Sequence, residues 1–88
     1  MSAPDIVLYV AGWCPFCVRA QGLLTKKGLA YRVVDVDEDA KSREEMIARS
    51  GRRTVPQIFI AGKHVGGCDD LFALDGSGEL DRMIKGVG

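Results

Sequence analysis

Two cysteines at i and i+3, Cys14 and Cys17, stand with Pro15 between them directly after a short apolar run, and this arrangement limits the fold more than any other feature of the chain. Residues 5–10 are apolar and β-branched, which predicts a buried strand. Ala11, Gly12 and Trp13 break it. Pro15 suits the first turn of a helix, where its missing N–H would have no partner anyway. Cys17, Ala20, Leu23 and Leu24 then recur at helical spacing, Lys26 and Lys27 sit in the last turn, and Gly28 stops the helix, which is expected over about 14–27. Gly22 inside it costs about 1 kcal/mol against alanine.

The rest of the chain supplies a partner for each of these elements. Residues 31–36 predict a second strand, and Ser42 with Glu45 matches a capping box that opens a helix through Met46, Ile47 and Ala48. Gln57–Ile60, a turn at residues 61–63, and His64–Val65 read as a hairpin. After Gly66 and Gly67 a helix runs through Leu71, Phe72 and Leu74, with Asp69 and Asp70 in the first turn, where negative charge complements the dipole. A last short helix is expected over Glu79–Lys85. The order β-α-β-α-β-β-α gives an α/β fold: a four-stranded mixed sheet with helices on both faces, the first two strands parallel and the last two an antiparallel hairpin. Ligands of such folds gather at the carboxyl ends of parallel strands, which is where Cys14 falls.

With 88 residues the chain is expected to form one domain, 1–88, with a thin core. Twelve basic residues balance twelve acidic ones, so no overall field steers the protein toward nucleic acid or an anionic membrane. No apolar stretch approaches the roughly 18–20 residues that span a bilayer. The start, Met1–Asp5, has no basic leader region, so a cytoplasmic location is expected. Three cysteines are too few and odd for a secreted disulfide scaffold. A close pair in a reducing compartment points to catalysis or to metal.

The thiolate is the reactive form of cysteine, and a helix N-terminus aims unpaired N–H groups and the positive dipole end at Cys14. Cys14 is therefore the expected nucleophile. Cys17, one turn on and facing the core, is the expected resolving thiol, and Pro15 stiffens the turn. Trp13 and Phe16 form an apolar rim. Two alternatives use the same residues: plain buried cysteines, and a zinc site that pairs Cys14 and Cys17 with His64 and Cys68. The position of the motif between strand and helix, and the stiff Pro15 loop, weigh against both.

Three motifs in order, the Cys14–Cys17 run with Pro15, then Thr54, Val55 and Pro56, then Gly66, Gly67, Cys68, Asp69 and Asp70, make the chain resemble the glutaredoxins, particularly the small dithiol bacterial type with a thioredoxin fold. The resemblance spans nearly the whole chain. It implies a glutathione-dependent thiol–disulfide oxidoreductase in which Cys14 attacks mixed disulfides and Cys17 closes an internal disulfide. It further implies a cis peptide before Pro56, Val55 pairing by its backbone with the cysteinyl part of glutathione, and Thr54 and Gly67 lining the site. The N–H of Cys68 or Asp69 would hold the γ-glutamyl carboxylate, and the side chain of Asp69 the ammonium. Arg53 or Arg52 would anchor the glycyl carboxylate. The plain roles of these residues are a helix cap for Asp69, a tight turn for Gly66 and Gly67, small packing for Cys68 and surface charge for the arginines. Glutathione is the implied co-substrate, with no metal expected. The implied partners are glutathionylated or disulfide-containing proteins such as ribonucleotide reductase, and the implied state is a monomer. Two departures stand out. Ala11 occupies a position where the family often has lysine, and Phe16 one where it often has tyrosine. Two rivals share the fold: a thioredoxin-like reductase fed by a flavoprotein, and a carrier in which two chains share a [2Fe–2S] cluster through Cys14 and two glutathiones.

Overall fold

The structure, a computed structural model, describes residues 4–86; residues 1–3, on which part of the reading of the chain's start rests, and residues 87–88 lie outside the described residues. The elements run β1 (Ile6–Val10), α1 (Pro15–Lys26), β2 (Arg32–Asp35), α2 (Ala40–Ser50), β3 (Gln57–Ile60), β4 (Lys63–Gly66), α3 (Cys68–Gly76) and α4 (Glu79–Gly86). The expected α/β sheet is present, in the order β2-β1-β3-β4. β1 pairs parallel with β2 and antiparallel with β3, and β3 pairs antiparallel with β4. The last helix, α4, is the short one expected over Glu79–Lys85, following the seven elements of the expected order.

Alternation along the strands divides the core in two. Ile6, Leu8, Val10, Ile58 and Ile60 face α1, α3 and α4, meeting Ala20, Leu24, Leu71 and Leu80. Val7, Tyr9 and Phe59 face α2 and meet Met46. All five residues of β1 are buried, as expected of a central strand covered on both faces. Lys27, at the end of α1, is tied to Asp75 at 2.6 Å and Asp81 at 3.1 Å, which joins α1 to α3 and α4.

One cap differs from expectation. α2 opens not at Ser42 but three residues earlier, with Asp39 as its cap: the Asp39 carboxylate accepts from the Ser42 N–H at 2.7 Å. Ser42 thus lies inside the first turn, because the carboxylate of Asp39 satisfies the orphan amide that a capping box would have left to the serine. The other end stops at Gly51, whose φ of 74° is the left-handed C-cap.

The pairing pattern is what brings the three motifs together. β1 ends at the residues before Cys14. β3 runs antiparallel to β1, so the segment before Gln57 lies beside that end, and β4, antiparallel again, finishes there with Gly66. Gly66 has φ of 123°, a conformation that side chains rarely adopt. A Cβ on it would stand 2.2 Å from the Asp70 carboxylate, which accepts the Gly67 N–H at 2.9 Å and so caps α3. That N–H, and then the Arg52 guanidinium at 3.3 Å, hold the Asp70 carboxyl below its usual range.

Gly66→Ala should therefore displace Asp70 and cost about 2–4 kcal/mol from strained backbone and a lost cap; a denaturant midpoint unchanged from wild type would count against this. The folded Asp70 binds its proton less readily than the unfolded one, so its contribution is present above the usual carboxylate range and disappears as pH falls through the folded value. Asp70→Asn should accordingly shrink the fall in Tm between about pH 5 and pH 3, and an equal fall in both proteins would refute the assignment.

Candidate active site

Cys14 is the N-cap of α1, with extended backbone (φ −141°, ψ 106°) and Pro15 at the first helical position. Its carbonyl starts the helix by accepting from Val18 at 3.1 Å, and its sulfur receives the Cys17 N–H at 3.2 Å. An orphan amide of the first turn thus points at Sγ, the geometry of an anion site at a helix start. The sulfur also lies 3.9 Å from the carbonyl oxygen of Val55. Cys14 is partly exposed, Cys17 is buried, and both are free thiols. Burial pushes the Cys17 thiol up to about 12, and its hydrogen bond with Cys14 adds to this. The pair therefore divides into an accessible sulfur and a protonated one behind it. Trp13, 90% exposed, and Phe16 flank the opening.

An open groove of about 210 Å³ lies beside Cys14, its Val55 wall being the residue whose carbonyl oxygen approaches this sulfur. One wall is Thr54, Val55 and Pro56, and the peptide before Pro56 is cis. The other is Gly67, Cys68 and Asp69 at the start of α3. The two walls come close, a Cβ on Gly67 lying 3.5 Å from the Pro56 carbonyl oxygen. Helix geometry leaves the N–H groups of Cys68 and Asp69 without a carbonyl one turn back. Cys68 is buried and packs in the core cluster. Burial also raises the Cys68 thiol.

The groove gathers most of the residues singled out in the sequence, with two adjustments. Arg52, not Arg53, lines it, and the helix cap expected of Asp69 belongs to Asp70. Two contributors went unnoticed in the sequence. Asp37 accepts the Gly12 N–H at 3.0 Å while Arg43 holds its other oxygen at 2.9 Å, so it tethers the loop before Cys14; its only signal was membership of an acidic run that reads as solvated surface. Gln57 is buried among apolar neighbours at the start of β3 and reaches the groove; a lone polar residue in an apolar strand was the signal. Among the described residues no group of three or more His, Cys, Asp or Glu side chains is placed to hold a metal ion, and His64 is engaged by Gln57 at 2.8 Å. No described helix is long and apolar enough to cross a membrane.

The family model described as Glutaredoxin matches residues 6–65. Glutaredoxin 3 of Escherichia coli (strain K12) is 52% identical over 81 residues, covering 92% of this chain and 98% of its own length. A glutaredoxin of Pseudomonas aeruginosa is 44% identical, covering 93% and 98%. Among solved structures, a glutaredoxin from Brucella melitensis superposes with a TM-score of 0.84 at 47% identity, covering 97% of this chain and 92% of that one. A buckwheat glutaredoxin–glutathione complex gives 0.84 at 29% identity, covering 93% and 77%. The α/β sheet, the Cys14–Cys17 motif at the head of α1 and these relatives agree: the chain belongs to the glutaredoxin family and is a thiol–disulfide oxidoreductase.

Proposed function

We propose that the protein is a glutathione-dependent reductase of protein disulfides and of protein–glutathione mixed disulfides. The observation that carries this is the groove beside Cys14 Sγ, whose walls are extended backbone on one side and a helix start on the other. A tripeptide thiol fits it chemically. The Val55 backbone can pair with the cysteinyl unit as an added strand does. The N–H groups of Cys68 and Asp69 suit the γ-glutamyl carboxylate, the Asp69 side chain suits its ammonium, and Arg52, already on the wall, suits the glycyl carboxylate. Arg53 is the second choice for that anchor. The buckwheat relative solved with glutathione supports the same use of the groove.

The chemistry follows from the division between the two sulfurs. The Cys14 thiolate attacks the glutathionyl sulfur of a mixed disulfide; the protein thiolate leaves and takes a proton, and Cys14 carries the glutathionyl group. A second glutathione thiolate then attacks that group, forming glutathione disulfide and returning the Cys14 thiolate. In the dithiol route Cys17 loses its proton and attacks Cys14 instead, displacing whatever is bound there. Cys17 is held protonated while Cys14 is free. Once Cys14 is in a disulfide, its share of that effect is gone and ionisation of Cys17 is opposed less. Pro15 keeps the two sulfurs at one helical turn. On this reading the 88 residues act as one domain, as a cytoplasmic monomer. Its substrates are proteins left with a disulfide or a glutathionyl group, ribonucleotide reductase being the example that the family suggests.

Turnover of a glutathionylated peptide, coupled to glutathione reductase and followed by NADPH consumption, tests the proposal, and no turnover would overturn it. Cys14→Ser should abolish both reactions, whereas Cys17→Ser should keep deglutathionylation and lose dithiol reduction; equal loss of both in Cys17→Ser would refute the two roles. Asp69→Ala should weaken the glutathionyl substrate by about 1–3 kcal/mol, the value of a hydrogen bond to a charged group. An unchanged KM would remove Asp69 from the site.

A further inference from the structure

Gln57 is a buried polar side chain in a strand otherwise filled by Ile58, Phe59 and Ile60, and burying an amide is costly unless its groups are paired. Its Nε2 donates to the Thr54 carbonyl oxygen at 3.0 Å and to the Thr54 Oγ1 at 3.2 Å, and its Oε1 lies 2.8 Å from His64 Nε2. A backbone carbonyl only accepts, so the amide nitrogen must face Thr54 and the amide oxygen must face His64. An amide oxygen can only accept, so its contact with the ring nitrogen leaves one assignment. His64 donates through Nε2–H.

His64 is in turn held by packing. Its ring lies 5.0 Å from that of Phe59, which carries the Arg49 guanidinium on its face at 4.1 Å. Burial, and the nearby Arg52 charge, lower its affinity for a proton. A continuous set of contacts thus runs from β4 through His64 and Gln57 to Thr54, the residue before Val55, whose carbonyl oxygen is 3.9 Å from the Cys14 sulfur.

We propose that Gln57, braced by His64, is a positioning residue that fixes the Thr54–Val55 backbone against Cys14 and thereby sets affinity for the substrate's glutathionyl group. The proposal rests on the groove reading given above. Neither side chain takes part in the exchange. Their effect falls on binding, because the reacting sulfur is held by α1, whose amide contact does not pass through Gln57.

Gln57→Met keeps length and burial while removing every hydrogen bond, and His64→Phe keeps the ring on Phe59 while removing the donor. Steady-state kinetics on a glutathionylated peptide, with iodoacetamide alkylation of Cys14 as a readout independent of the groove, distinguish positioning from general damage. Gln57→Met should raise KM for the peptide roughly tenfold, as for one to two lost hydrogen bonds, with kcat and the alkylation rate within about twofold of wild type. His64→Phe should raise KM less, and adding it to Gln57→Met should change nothing further, since its bond is already gone. An unchanged KM in Gln57→Met, or a parallel loss of kcat and alkylation, would overturn the proposal. If Gln57→Met does not fold, an unchanged KM in His64→Phe overturns it alone. Failure of wild type to turn over the peptide would sink the glutathione reading and this proposal with it, whereas an active wild type with unaltered KM in Gln57→Met overturns the proposal alone.

Discussion

One hydrogen bond organises the chemistry of this protein: the amide of Cys17 donating to the sulfur of Cys14. It exists because a helix begins with N–H groups that no carbonyl can satisfy, and because the N-cap here is a cysteine and not a serine or aspartate. The same turn that points the amide at Cys14 buries Cys17 one turn further on. Local helix geometry thus separates an accessible sulfur from a protonated one. Pro15 keeps that start in place at no cost, since its position needs no donor.

That arrangement is useful only if the substrate side of the sulfur is equally well defined, and this is the work of the sheet. β1, β3 and β4 are paired so that the end of the first, the start of the second and the end of the third lie side by side. Three stretches distant in sequence thereby meet, two of them as the walls of the groove and the first leading into Cys14 beside it. The close fit has local requirements: Gly66 has no room for a Cβ beside the Asp70 carboxylate, and that carboxylate both caps α3 and meets Arg52. The cap, the ion pair and the turn therefore depend on each other.

Arg52 illustrates how such a network can serve two purposes. Its contact with Asp70 is half exposed, so as a contributor to stability it is modest. The same contact holds the guanidinium on the groove wall, where an incoming carboxylate could share it. The family's frequent lysine is absent at Ala11, which leaves Arg52 as the cation that the groove itself presents.

Much of this was legible in the sequence because it is local. The strand of residues 6–10, the helix opened by Pro15, the hairpin around Gly62 and the acidic start of α3 follow from periodicity, turn chemistry and missing donors, and each is found within a residue or two of its expected place. The roles decided between neighbours a turn apart were harder. Asp39 and not Ser42 caps α2, and Asp70 and not Asp69 caps α3, because which carboxylate reaches an orphan amide depends on where the chain enters the helix. What sequence could not give was any pairing across the chain. That Asp37 tethers Gly12, that Arg52 and not Arg53 lines the groove, and that Gln57 joins His64 to Thr54 depend on strand register and burial. Residue types and their local spacing set which groups could react and which segments could form. Only tertiary packing decided their neighbours, because side-chain contacts between residues far apart in the chain are set by how the strands pair.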